Sequence, residues 1–212
     1  MATVVVSRVL DRCEVLGPGV RAVIWVQGCP LRCSGCIAPE MLSFEGGTVR
    51  TVAELTSWLC SLDEVEGVTL SGGEPFAQAE ALALLLDEVR TVRPYFTAMS
   101  YSGFTLAALR RGTPAQQALL GRLDLLIDGP YQPAKHGDLR WRGSSNQRLV
   151  PLTERYRDVH AEPDIGQGLE FTLGIDQTLS WAGVPSVPGF RERVTAGLAS
   201  KGYGLRVERE NM

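Results

Sequence analysis

Three of the five cysteines, Cys29, Cys33 and Cys36, lie within eight residues, directly after an apolar run. That run spans residues 21–27 and has the composition of a buried strand ending just before the first cysteine. An odd number of cysteines, with three grouped this closely, does not suit a framework of disulfide bonds. In a reducing compartment such a group is typical of a metal or catalytic site. The fold must therefore present a loop of thiols at the end of a strand.

Strand and helix patterns alternate along the chain. Strands are predicted at residues 3–10, 21–27, 67–70, 95–101, 123–127, 147–152, 169–173 and 203–208. Helices are predicted at residues 51–62, 78–92 and 189–200, and two short ones are predicted to begin at Thr105 and at Thr113-Pro114. Residues 128–145, rich in Gly, Pro and charge, are predicted to form a loop. The alternation predicts an α/β fold with a mostly parallel sheet and right-handed crossovers.

Four unusual segments each follow or close a predicted strand. They are the cysteine loop, residues 71–75 (SGGEP), residues 100–103 (SYSG) and Asp128-Gly129. In parallel α/β sheets the ligand lies at the carboxyl ends of the strands. We therefore expect all four segments to meet at one edge of the sheet and to form a single site.

The spacing of the three cysteines is C-x3-C-x2-C. Thiolates are the usual ligands of iron–sulfur clusters, and three of them leave one iron of a cubane open to substrate. The alternative is a structural zinc site completed by Cys13, Cys60 or one of the two histidines. A closed zinc site would be expected to show a second pair of ligands at short spacing, and the sequence has none.

The cysteine spacing resembles that of the radical S-adenosylmethionine superfamily, and Gly72-Gly73-Glu74-Pro75 resembles its GGEP motif. The resemblance implies a [4Fe–4S] cluster on Cys29, Cys33 and Cys36. It also implies S-adenosylmethionine bound to the open iron and cleaved by one electron to methionine and a 5′-deoxyadenosyl radical, which abstracts a hydrogen atom. Many members carry an aromatic residue before the third cysteine, where this chain has Gly35.

Further stretches of the sequence indicate which group within this superfamily the chain resembles. Residues 17–21, 28–30, 101–105, 127–130 and 142–148 are similar to those of the activases of anaerobic ribonucleotide reductase, whose wider group includes pyruvate formate-lyase activating enzyme. This implies an oxygen-sensitive activase that takes a hydrogen from one backbone glycine of a large partner enzyme. A flavodoxin or ferredoxin is implied as electron donor. The implied fold is an incomplete β/α barrel in one domain, residues 1–212, with a core at about 12–152 and a divergent extension at 153–212.

The remaining site residues carry simpler alternatives. The resemblance implies a cofactor site at Gly72, Gly73, Glu74, Pro75, Ser100, Tyr101, Ser102, Asp128, Arg142 and Asn146. Residues 101–105 could be only a strand end and a helix cap, Asp128 a polar strand end, and residues 142–148 a solvated turn. Cys60 is expected in the core, Cys13 in a structural position, and His136 and His160 at the surface.

Composition limits the partners. The net charge of −3 and the absence of a basic run do not suit nucleic-acid binding. The apolar runs are too short to span a bilayer, and no signal peptide is visible, so a cytoplasmic protein is expected. Because the extension diverges, two rivals stay open: a radical enzyme acting directly on a peptide or small molecule, and a binding module that holds zinc or a cluster. A neighbouring gene for a large glycyl radical enzyme would favour the activase.

Overall fold

Within the described part of the chain, the strands form one large sheet and two small hairpins. The computed structural model describes residues 1–175 and 179–202. The strands are β1 (Thr3–Cys13), β2 (Arg21–Val26), β3 (Thr48–Thr51), β4 (Gly67–Gly72), β5 (Thr97–Ser102), β6 (Leu125–Asp128), β7 (His136–Leu139), β8 (Arg142–Ser144), β9 (Arg148–Pro151), β10 (Leu169–Leu173) and β11 (Leu179–Gly183). The helices are α1 (Val52–Cys60), α2 (Ala79–Val92), α3 (Leu106–Arg110), α4 (Pro114–Leu120) and α5 (Phe190–Ala199).

The large sheet has the strand order β3-β1-β2-β4-β5-β6-β9. Its four central strands, β2, β4, β5 and β6, pair in parallel. β1, β3 and β9 add antiparallel pairs on both sides, so β3 and β9 lie at the edges. The predicted α/β fold with a mostly parallel central sheet is confirmed.

The predicted helix starts are confirmed by their caps. Thr51 and Glu54 form a capping box before α1, and Thr113 and Gln116 form another before α4. Thr105 accepts a hydrogen bond from the amide of Ala108 and caps α3. Each such cap satisfies backbone donors that the first turn leaves unpaired.

The sheet has two faces with different coverings. On the helix face, Ile24 and Leu70 pack with Leu55, Leu82 and Leu86 of α1 and α2, all almost fully buried. Burying each such leucine contributes about 1.5–3 kcal/mol. The opposite face, which we call the second face, carries the alternate side chains of the same strands: Val23, Trp25, Met99, Leu125 and Ile127. Because both faces are buried, the central strands are almost continuously apolar.

The structure departs from the sequence predictions in the short elements. Residues 128–145 are not a plain loop, because a 3-10 turn (Pro133–Lys135) and the hairpin β7–β8 lie within them. β3 and β11 were also missed. These strands have three to five residues, too few to show an alternating pattern. The strand predicted at 203–208 lies outside the described residues.

None of the helices in the described ranges is long and apolar enough to cross a bilayer.

Candidate functional site

The four unusual segments do meet at one edge of the sheet. Val26 pairs with Gly72, and Ser102 pairs with Asp128, so the carboxyl ends of β2, β4, β5 and β6 are in line. Backbone hydrogen bonds then join neighbouring loops, with Glu74 N donating to Gly28 O at 2.9 Å. The predicted convergence is confirmed, and it follows from parallel pairing, which brings all four strand ends to the same edge.

The cysteine loop is held at its base and turns sharply in its middle. Gly28 N donates to Met41 O at 3.0 Å, which closes the loop across its two ends. Cys36 N donates to Cys33 O at 3.2 Å. Arg32, with φ 47, adopts the left-handed conformation, which is rare for a residue with a side chain. This strained turn lies between the first and second cysteines.

The donor set of this loop suits an iron–sulfur cluster. Cys29 is buried, Cys33 and Cys36 are half-buried, and all three thiols are free. Burial raises the pKa of Cys36, and the nearby charges of Cys29 and Cys33 raise it further, so the three sulfurs are electrostatic neighbours. Among residues 1–175 and 179–202, no three Cys, His, Asp or Glu side chains are gathered closely enough to hold a metal ion. Three free thiols on one loop are the ligands that an iron–sulfur cluster takes, so the chemistry of this loop fits a cluster.

The two glycines of the GGEP segment let one backbone lie against another. Gly73 N donates to Val26 O at 2.8 Å, and a Cβ at Gly73 would lie 2.3 Å from Gly28 O. Gly72 has φ +97, and its Cβ would lie 2.6 Å from Val26 N. The glycines thus fit the segment against the end of β2 and the start of the cysteine loop.

Glu74 is a buried carboxylate that links two loops. It is 1% exposed. It accepts hydrogen bonds from Phe76 N at 3.0 Å, from Ser102 Oγ at 2.9 Å and from Gly103 N at 2.8 Å. Burial raises the pKa of Glu74 to about 7, and these three donors oppose the rise. Both carboxylate oxygens are engaged within the protein, so Glu74 positions the loops after β4 and β5.

Ser100 and Tyr101 point to opposite faces of the sheet, as successive strand residues must. Ser100 is fully buried on the side of Ala98, which belongs to the core under the helices. Tyr101 packs against the second face, and burial raises its pKa. Within the part of the chain that the structure describes, the buried Tyr101 hydroxyl has no hydrogen-bond partner. Of these two residues, only Tyr101 places a polar group without a hydrogen-bond partner, its hydroxyl, on the second face.

Asp128 is buried and already paired. Arg148 Nε donates to Asp128 Oδ1 at 2.8 Å, and a second guanidinium nitrogen bonds Oδ2. Leu106 N donates to Oδ2 at 2.6 Å, which satisfies an amide of the first turn of α3. Arg148 was not among the predicted site residues. The ion pair follows from the antiparallel pairing of β6 with β9, because that pairing places Arg148 directly opposite Asp128.

Arg142 and Asn146 also bond within the protein. Arg142 donates to Gln147 O at 3.0 Å and pairs with Asp164, a residue of the extension. Asn146 Nδ2 donates to Pro130 O at 2.7 Å. Among the described residues its buried Oδ1 has no hydrogen-bond partner. Both side chains thus brace the segment after β6, and Asn146 retains one free acceptor.

Tyr131, which the sequence did not single out, packs on the cysteine loop. Gly35 has φ +69, and a Cβ there would lie 3.4 Å from the Tyr131 ring and 3.2 Å from Pro133. The Tyr131 hydroxyl bonds His136 Nδ1 at 3.0 Å, so His136 is half-buried rather than at the surface as expected. The aromatic ring beside the third cysteine thus comes from the loop after β6.

Comparison with known proteins identifies the family. The chain matches the domain family described as "4Fe-4S single cluster domain" over residues 15–150. It is 35% identical over 146 residues to the anaerobic ribonucleoside-triphosphate reductase-activating protein of Vibrio cholerae, which covers 66% of this chain and 92% of that protein. This chain belongs to the reductase-activating protein family. The relative of the same name from Enterobacteria phage T4 is 34% identical over 145 residues, covering 66% and 89% of the two chains.

A further relative, matched over a shorter stretch, is the pyruvate formate-lyase-activating enzyme of Clostridium pasteurianum, 41% identical over 75 residues, or 33% of this chain and 32% of that one. The domain match of this reductase-activating family member includes the cysteine loop and the ends of β4, β5 and β6. It ends at residue 150, before β10, β11 and α5.

Proposed function

We propose that this protein is a radical S-adenosylmethionine enzyme that installs a glycyl radical on an anaerobic ribonucleotide reductase. The observation that carries the proposal is the convergence of three free thiols with the GGEP, Ser102 and Asp128 loops at one sheet edge, all inside the family match. The enzyme is an oxidoreductase, and its partner is a glycyl radical enzyme.

Cys29, Cys33 and Cys36 would hold the [4Fe–4S] cluster. When bound, the cluster supplies the electron that cleaves S-adenosylmethionine to the 5′-deoxyadenosyl radical, and a flavodoxin or ferredoxin would supply that electron in turn. Three further residues, Glu74, Asp128 and Arg148, act by holding the edge in shape. Glu74 fastens two of its loops, and the Asp128–Arg148 pair fastens the start of α3.

Buried polar atoms that lack a hydrogen-bond partner indicate which residues are proposed to face S-adenosylmethionine. The Tyr101 hydroxyl and Asn146 Oδ1 are buried and have no partner among the described residues, so both are suited to bind a ligand. The backbone of Gly72, Gly73 and Pro75 borders the same edge. Ser100 and Ser102 are engaged inside the protein and are proposed as supports. Arg142 bonds Gln147 O and Asp164, but its buried Nε has no partner among the described residues, so Arg142 is proposed both as a support and as a donor to the ligand.

The finer fold assignment also belongs to the proposal. We propose that the seven-stranded sheet is an incomplete β/α barrel within a single domain. Its second face would border the site, since Tyr101 lies on it. An open mouth at the carboxyl edge would let a glycine loop of a large protein reach the reacting group.

A glycyl radical experiment tests the proposal against its rivals. The anaerobically reconstituted protein is mixed with the candidate reductase, S-adenosylmethionine and dithionite, and electron paramagnetic resonance should show a glycyl doublet. Release of 5′-deoxyadenosine on a peptide or small molecule, with no doublet on the reductase, would favour direct action on that substrate. Purified protein that contains zinc and no iron would establish the binding module instead.

Cysteine variants test the cluster ligands separately. Cys29→Ser, Cys33→Ser and Cys36→Ser should each lose bound iron and release no 5′-deoxyadenosine. Cys60→Ser is the matched control, because Cys60 packs at the margin of the helix-face core. If the three loop variants keep iron and cleavage at the level of the control, the assignment of these ligands is wrong.

A further inference from the structure

The segment beyond the family match folds back onto the sheet. The family match ends at residue 150, and the residues that follow form β10, β11 and α5. Ala182 of β11 is 3% exposed and packs in the second-face cluster with Val23, Trp25 and Met41. Because a buried apolar contact of this kind excludes water, the hairpin is part of the covering of the second face.

Polar contacts fix where the hairpin lies. Arg8 donates to Trp181 O at 2.9 Å, while its guanidinium stacks on the Trp25 ring at 4.0 Å. Glu14 N donates to a carboxylate oxygen of Glu170 at 2.8 Å. β1 and the residue after it are therefore bonded to both strands of the hairpin, and Arg8 connects the hairpin with the strand that leads into the cysteine loop.

Helix α5 joins the hairpin to the turn that follows the cysteine loop. Phe190 meets the Trp181 ring edge to face at 5.1 Å, which anchors the first turn of the helix. The next residue, Arg191, donates to Glu40 Oε1 at 2.7 Å. Glu40 lies in the 3-10 turn Pro39–Met41, whose last residue accepts the hydrogen bond from Gly28 N that closes the loop.

We infer that Arg191 is a positioning residue for the cysteine loop, through which the C-terminal extension holds the turn after Cys36 in place. The effect of this role on catalysis rests on the proposed function, because the thiols of this loop would hold the cluster. Ala182 supplies the buried apolar contact between the extension and the second face. The Arg191–Glu40 pair is partly exposed, with 32% and 41% of the two side chains accessible, and it supplies the direct tie to the loop.

Hydrogen exchange of the full chain, followed by mass spectrometry, tests the role without cluster or cofactor. Amides of Gly28, Cys29, Cys36 and Met41 are hydrogen-bonded within or beside the loop. In Arg191→Glu these amides should exchange about two- to fivefold faster, the range expected for loss of a partly exposed ion pair. Peptides from α2 should keep the rate of the wild-type protein.

Matched variants separate positioning from a general loss of stability. Arg157→Glu makes the same charge change in the extension, at a pair whose side chains are 68% and 86% exposed, and it should leave loop exchange unchanged. Arg191→Lys should stay near wild type. The double variant Arg191→Glu with Glu40→Arg should restore slow exchange, because it restores the pair with opposite polarity.

The inference fails if Arg191→Glu exchanges like Arg157→Glu, or if the charge-swapped pair does not restore protection. That outcome is distinct from failure of the proposed function, which would show as no glycyl doublet and no 5′-deoxyadenosine from the wild-type protein. Faster loop exchange in Arg191→Glu with no such activity in the wild type would support the positioning role and refute the activase.

Discussion

The Ser102 hydroxyl donates a hydrogen bond of 2.9 Å to Glu74 Oε1 and so joins the loop after β4 to the end of β5. Ser102 Oγ also accepts a hydrogen bond from Phe104 N at 3.0 Å. One small side chain thus connects the buried carboxylate with the backbone that leads into α3. This network and the backbone contacts around it hold the carboxyl edge of the sheet together.

Ser102→Ala should destabilise the protein by about 1–3 kcal/mol, because it leaves a buried acceptor and a part-buried amide without their shared partner. The free energy of unfolding from urea denaturation measures the loss. Ser57→Ala, at an exposed position in α1, is the control and should stay within about 0.5 kcal/mol of wild type. Equal values for the two variants would show that the network contributes little.

Glu74 should make stability depend on pH in an unusual direction. Burial raises its pKa to about 7 from an ordinary 4.5, so the folded protein binds more protons than the unfolded chain between these values. Its contribution is complete below the lower value and is lost as the pH rises through the upper one. Relative to Glu74→Gln, the wild type should lose up to about 3 kcal/mol of unfolding free energy from pH 4.5 to 8.

Urea denaturation of both proteins across this pH range checks the effect, since other titrating groups cancel in the difference. A difference that stays constant, or that grows in favour of the wild type as the pH rises, would contradict the raised pKa.

Gly73→Ala should cost about 3 kcal/mol or more, because its Cβ would lie 2.3 Å from the backbone oxygen of Gly28 and neither backbone can yield freely. Gly121→Ala is the matched control. At Gly121, φ is −68 and the nearest atom to an added Cβ is 3.5 Å away, so Ala should be neutral or stabilising by up to about 1 kcal/mol. Thermal unfolding of the two variants measures the contrast, and a mild Gly73→Ala would show that the two loops can separate.

The Asp128–Arg148 pair should respond asymmetrically to the loss of either partner. Asp128 is 1% exposed and Arg148 57% exposed, so Arg148→Met leaves a charge buried while Asp128→Asn releases one into solvent. We expect a cost of about 2–4 kcal/mol for Arg148→Met and about 1 kcal/mol for Asp128→Asn, measured by urea denaturation. Arg110→Met, at an exposed position in α3, controls for loss of an arginine alone. The reverse order of the two costs would contradict this view of the pair.

The sequence was most informative where the signal is local. The apolar strand at 21–27, the helix that begins after Thr51 and the short helix that begins after Thr105 were all predicted, because each depends on residues within a few positions of one another. The meeting of four loops at one edge was also predicted, because parallel pairing of consecutive strands leaves one arrangement for their ends.

The roles of individual polar residues were less predictable. Glu74, Asp128 and Arg142 were expected near the cofactor, and the structure shows each bonded to another part of the chain. Their partners are separated from them by 29, 20 and 22 residues, and no short pattern encodes such pairs. Tyr131 was missed because nothing in its own neighbourhood marks it as a neighbour of Gly35.

The sequence by itself determined that thiols and glycine-rich turns gather at the carboxyl edge of a parallel sheet, because strand polarity and motif position are both written along the chain. Only the tertiary structure decided which charges are used in holding that edge and where the C-terminal extension lies. The physical reason is that a buried carboxylate takes whichever donors the folded backbone brings to it, as Glu74 does with Gly103, and an extension covers whichever apolar face is left open, as Ala182 does beside Trp25.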